Sequence, residues 1–108
     1  MPIVQLSMKT NLDPLEHFEA GKAVRLLRDQ NILILGSGQS FHNLAAHGLH
    51  ANQMSLAFDK LLRHALLQST SQARFEELLN CINSTYGQYA TSSADGSLNS
   101  FTFRTGCR

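Results

Sequence analysis

The chain has 108 residues, 43% of them hydrophobic and 16% charged, and a net charge of +1 when its five histidines are neutral. That length limits it to one domain with a modest core, and the composition excludes wholesale disorder. The small, evenly spread charge excludes an electrostatic footprint for nucleic acid or an anionic membrane, and no apolar run approaches the ~20 residues of a spanning helix.

The first residues have neither the basic head nor the apolar core of a secretion signal. Cys81 and Cys107 lack any paired spacing. They read as reduced thiols of a cytoplasmic protein, with a single disulfide as the alternative.

In chain order, Ile3 to Met8 (IVQLSM) reads as a short buried strand that opens on β-branched residues. Asn11, Asp13 and Pro14 mark a turn into a helix. Asp13 suits the N-cap, Pro14 the first helical position, and Glu16 stands three residues after the cap. Ala20, Ala23, Val24 and Leu27 keep the i, i+3, i+4, i+7 spacing of an amphipathic helix, predicted over residues 14–29. Arg25 and Arg28 complement the negative end of its dipole, and Asn31 closes it.

Ile32 to Leu35 (ILIL) reads as a second strand. Strand, helix and strand joined by short links predict a βαβ unit with parallel strands and a right-handed crossover. The expected fold class is therefore α/β, with covering helices. Both strands would end on one rim, Ser7 to Lys9 beside Gly36 to His42, where open α/β sheets collect ligands.

The rim segment GSGQSFHNL carries the polar residues of interest. Its Gly36-Ser37-Gly38 turn fits neither the dinucleotide fingerprint nor the P-loop, which needs Lys before Ser or Thr. It also fails the nucleophile elbow, because Gly38 holds the serine position. A tight turn that lets a substrate approach the backbone is the plainer reading, with a small nucleotide-binding domain a distant third option for the chain.

Further on, Met54, Ala57, Phe58, Leu61, Leu62 and Ala65 keep helical spacing, Ser69 with Gln72 resembles a capping box, and Phe75, Leu78, Leu79 and Ile82 continue as another amphipathic helix. After Asn83 the texture turns to Ser, Thr, Gly, Tyr and Asn without period, so residues 83–108 read as an irregular tail. Ser100 to Arg104 could form a last short strand. His47 and His50 are three apart, but no Cys, Asp or Glu lies within five residues to complete a metal site, so they read as surface histidines. His64 falls on a polar helix face.

The block MPIVQLSM followed by DPLEHFEAGKAVRLLRDQNILILGSGQSFHNL resembles the class III extradiol ring-cleavage dioxygenases of the subunit-B-like, DOPA-dioxygenase type. In that family a PxVQLS strand leads to a helix with HFxxG and LRD, then to a glycine- and serine-rich turn and HNL. The agreement runs from Pro2 to Leu44. Phe58 to Leu79 resembles the family's next helical segment more loosely, and the tail after Cys81 does not resemble it. Residues 1–82 are thus expected to form part of a larger α/β dioxygenase domain.

The resemblance implies an oxidoreductase that opens a catechol- or DOPA-type aromatic diol with O2 at a non-haem iron(II) or zinc(II). It places His42 as the histidine that moves protons, a task suited to an imidazole that titrates near neutrality. Ser37, Gly38, Ser40 and Asn43 would line the substrate pocket, and His17 would be structural or face the crevice. The family's metal ligands, two upstream histidines and a third downstream ligand, have no counterparts here, so no metal residue is assigned. The chain is therefore expected to be a segment of a longer enzyme and inactive alone. The alternative is a non-enzymatic interaction or self-association module, since two short apolar strands cannot bury both faces of a sheet.

Overall fold

A computed structural model describes residues 2–36 and 40–92. Among the described residues four α-helices follow one another: α1 (Pro14–Val24), α2 (Gly48–Leu66), α3 (Ser71–Asn83) and α4 (Thr85–Thr91). A 3-10 turn, Arg25–Gln30, extends α1.

Helix α1 begins where its cap chemistry dictates. The Asp13 carboxylate accepts the Glu16 N–H at 3.0 Å, and Pro14 takes a first-turn position that needs no N–H donor. The predicted helix over 14–29 is regular only to Val24 before tightening into the 3-10 turn. Asn31 stops it in the left-handed region at φ 59°, a conformation that Asn tolerates better than most residues. Helix α3 is capped one residue later than expected: Thr70 Oγ1 accepts the Ala73 N–H at 3.1 Å, and Gln72 bonds Glu76 at 2.6 Å instead of reaching back.

The core has two linked parts. Phe18 of α1 meets Ala65 and Leu78, with Leu62, Leu66 and Phe75 around them. Phe58 meets Cys81 and Ala90, flanked by Phe41, Leu61 and Leu62. Leu62 on α2 serves both, so α2 is the central helix against which α3 and α4 pack.

Helix α4 falls in the stretch read as irregular. Ser84 caps it by accepting the Gly87 N–H at 3.0 Å. Gly87 lies so close to α3 that a β-carbon there would overlap the carbonyl oxygens of Cys81 and Ile82.

The α/β expectation is corrected. Among the described residues there is no β-strand, and the βαβ unit with parallel strands does not form. Ile3 to Met8 and Ile32 to Leu35 run without regular structure and stay open to solvent, with Val4 93% and Leu35 84% exposed. An apolar, β-branched run records a need for burial but does not supply the neighbouring strand that must satisfy its N–H and C=O groups. A two-stranded pairing alone is marginal in water. The helices instead bury one another. Ser100 to Arg104 and Cys107 lie outside the described residues.

Candidate functional site

The segment Phe41-His42-Asn43 crosses the carboxyl end of α4. The His42 backbone N–H donates to the Ala90 carbonyl at 2.7 Å. On one side of it, the Phe41 ring packs against Phe58, centroids 6.4 Å apart, and Tyr89, at 6.2 Å. On the other side, the Asn43 Nδ2 donates to the Tyr89 carbonyl and to Ser92 Oγ, both at 2.8 Å, while its Oδ1 accepts the Ala45 N–H at 3.2 Å. His42 itself is exposed, between a half-buried Phe41 and a half-buried Asn43. The backbone is fixed from both sides and the imidazole faces solvent.

Around it, His50 stands edge-on to Tyr89 with centroids 5.5 Å apart. Ser40 is half-buried, one residue before Phe41. Ser37 and Gly38 lie outside the described residues, as does Asp95.

His17 sits in the first turn of α1, and backbone engages both of its ring nitrogens. Nε2 accepts the Lys9 N–H at 3.1 Å, and Nδ1 donates to the Asp13 carbonyl at 2.7 Å. Beside it, Glu16 accepts from Asn11 Nδ2 at 2.9 Å and pairs with Lys9 Nζ at 3.0 Å. The Asn11 hydrogen bond, then the Lys9 ammonium, hold the Glu16 carboxyl below its ordinary range. The His17, Lys9 and Glu16 group thus braces the turn before α1.

The other histidines stand apart from this segment's polar network. His47 is the N-cap of α2 without a side-chain cap bond, and His64 meets Gln68 at 3.2 Å on the exposed side of α2. Among the described residues no three His, Cys, Asp or Glu side chains stand together as ligands for a metal. Cys81 is a buried free thiol, pushed up to about 11 by desolvation, which makes it a packing residue and a poor nucleophile or ligand. No helix among the described residues is long and apolar enough to cross a membrane.

What sequence reasoning missed is the support of the histidine. Tyr89, Ala90 and Ser92, far along the chain in a stretch without apolar period, hold residues 41–43. The one available signal was Ser84 as an N-cap three residues before Gly87.

Comparison with known proteins gives this arrangement its context. Residues 1–102 match the family described as the catalytic LigB subunit of aromatic ring-opening dioxygenase, and the chain belongs to that family. It is 53% identical over 47 residues to the dioxygenase tasH of Hapsidospora irregularis, an alignment that covers 43% of this chain and 14% of that protein. It is 31% identical over 83 residues to the 4,5-DOPA dioxygenase extradiol of Portulaca grandiflora, covering 74% of this chain and 29% of that protein. With the Beta vulgaris enzyme of the same name it shares 40% identity over 42 residues, 39% of this chain and 16% of the relative. The chain thus spans less than a third of the length of these curated relatives. No solved structure matches it. Dioxygenases of this family generally work with a non-haem metal. The described residues do not by themselves assemble three side chains to hold one.

Proposed function

We propose that this chain carries the proton-transfer segment of an extradiol dioxygenase acting on a catechol- or DOPA-type diol, with His42 as the acid and base. One observation supports this above the others: the imidazole of His42 is exposed while its backbone is tied down on both sides. A general base needs a side chain free to meet the substrate and a main chain that does not wander. His42 takes a proton from a ring hydroxyl of the bound diol as the ring is attacked, then returns it to an oxygen of the opened product. Ser37, Gly38 and Ser40, which precede His42 in the same motif, are proposed as polar residues that the diol meets.

The non-haem iron(II) or zinc(II) that such an enzyme would hold would supply Lewis-acid binding of the diol and activation of O2. Among the described residues no three possible ligands stand together, and the contribution proposed for this chain is proton transfer by His42. The 108 residues alone are proposed to be inactive.

A chimera tests the reading. Residues 2–92 would replace the matched segment of the Portulaca grandiflora 4,5-DOPA dioxygenase extradiol, and ring-opened product would be followed by absorbance together with O2 uptake. The chimera should turn over DOPA, and His42→Ala should lower kcat by roughly 100- to 10,000-fold. Full turnover in the His42→Ala chimera would show that the proton path lies elsewhere.

A second reading rests on a separate observation. Ile3, Val4, Leu6, Leu33 and Leu35 are each more than 70% exposed. Apolar segments left open in this way favour self-association. Sedimentation across a concentration series checks it, and a strict monomer with those segments unprotected would rule it out.

A further inference from the structure

We infer that Asn43 is a positioning residue for His42, acting through a shelf formed by the carboxyl end of α4 rather than by touching a substrate. The inference rests on the proposed role of His42 for its catalytic meaning, but its structural content stands without it.

The geometry begins with the inventory of an amide side chain, which has two N–H donors and one carbonyl acceptor. Asn43 uses all of them inside the protein. The Tyr89 carbonyl can only accept and the Ala45 N–H can only donate, so their positions fix which end of the amide is which. The Ser92 hydroxyl takes the remaining donor and itself donates to the Tyr89 carbonyl at 3.0 Å. Neither N–H is left over to orient a diol, and the one acceptor atom already faces the Ala45 N–H. What the amide does hold is the strip of backbone to which the His42 N–H is also bonded, through Ala90. Tyr89 and Ala90 are consecutive residues of α4, so one rigid turn receives both residue 42 and residue 43.

The consequence reaches the far end of the chain. Helix α4 has almost no large apolar stripe of its own, yet Ala90 is fully buried and Gly87 sits hard against α3. Its carbonyls can serve as a shelf because its small residues let it pack tightly on α2 and α3. A catalytic side chain misplaced by about 1 Å can lose as much as ~100-fold in rate, so support of this kind bears on chemistry as well as stability.

The test uses the full 108-residue chain and amide hydrogen exchange read by NMR. In Asn43→Ala, exchange at the His42 amide should rise by roughly tenfold or more, while the amides of Phe58 in α2 and Leu78 in α3 keep their protection. Asn43→Asp should behave like Asn43→Ala. It retains an oxygen for the Ala45 N–H but turns a carboxylate oxygen, in place of the N–H, toward the Tyr89 carbonyl. An Asn43→Asp chain with wild-type protection at His42 would show that only the Ala45 turn matters, which overturns the inference. So would a uniform loss of protection in α2 and α3, the mark of a general structural role.

In the chimera described above, Asn43→Asp should lower kcat by up to roughly 100-fold with KM unchanged. A change confined to KM would place Asn43 in substrate contact and sink the positioning role. Should the His42→Ala chimera keep full activity, the proposed function fails while the exchange result still decides what Asn43 does.

Discussion

Gly87 on α4 is packed so closely beneath α3 that the Cys81 carbonyl oxygen occupies the space of a β-carbon at position 87. Two helices joined by a single residue, Ser84, can fold back on each other only if one of them offers a side with nothing on it. Glycine offers that side, and Ala90, also buried, extends it toward α2.

Gly87→Ala should therefore be destabilising although alanine is the better helix former. The neighbours are backbone carbonyls of a capped helix and cannot swing aside, so α4 must move. A cost of about 1–3 kcal/mol is expected for overpacking of this kind. In a domain of this size that lowers the melting temperature by roughly 4–8 °C for each kcal/mol. Thermal melting followed by circular dichroism measures it, and an unchanged or raised Tm would show that α4 does not pack as described.

Phe58 is 1% exposed and ties the His42 segment to the core: it touches Cys81 and Ala90 and lies under Phe41. Phe58→Ala removes the largest fully buried side chain among the described residues, at a cost of about 3–5 kcal/mol. Small domains hold only about 5–15 kcal/mol in total, so most or all of the folded population should be lost. Urea denaturation should show the midpoint fall sharply. Loss of the Phe41 contact should also release the His42 segment before α2 and α3 unfold.

What the sequence makes legible follows from which forces are local. Asp13 and Pro14 start α1 at the residue where they stand, because a cap is satisfied within one turn. The Phe75, Leu78 and Ile82 spacing finds α3, because large apolar residues announce a buried face. Helix α4 escapes the same search: its buried positions are Gly87, Ala90 and Thr91, small residues that pack by being small. The part of α2 before Met54 shows no apolar stripe for a similar reason, since Ala51 is its one buried residue before Phe58. The strands fail differently. Ile3 to Met8 and Ile32 to Leu35 have strand composition, but pairing is a property of two segments and the described residues provide no mate. His42 stands out by its motif. The shelf under it depends on Tyr89, Ala90 and Ser92, whose contacts with residues 42 and 43 no local pattern encodes.

Acid should loosen the entry to α1 first. Glu16 is held below its ordinary range by Asn11 and then by Lys9, so its ionised form is the one the folded state favours. Its contribution is present above the ordinary carboxylate pKa and is lost as pH falls through the lowered folded value. Side-chain NMR titration should place the Glu16 midpoint below that of a short peptide control. Asn11→Ala should move it back toward the control, and a midpoint indifferent to Asn11 would remove that residue as the main cause.

Cys81 should be silent toward thiol reagents while the chain is folded. Burial raises its pKa to about 11, so at pH 7–8 almost none of it is thiolate, and Phe58 and Ala90 pack beside it. Maleimide labelling resolved by mass spectrometry should leave Cys81 unmodified in buffer and modified in urea. Rapid labelling in buffer would mean that α3 and α4 part readily.

His17 makes a prediction about a single proton. Lys9 N–H can only donate and the Asp13 carbonyl can only accept, so the ring that joins them must be bare at Nε2 and protonated at Nδ1. Imidazole nitrogen shifts measured above neutral pH should report that tautomer for His17, against the Nε2–H form usual for a solvated histidine. His17→Phe keeps the ring's bulk but removes both bonds. The Lys9 amide should then exchange faster, while the Asp13 cap keeps α1 in place, at a cost of about 1 kcal/mol for this partly exposed pair. An Nε2–H tautomer would detach the ring from Lys9 and return His17 to the crevice-facing role that the family resemblance allows.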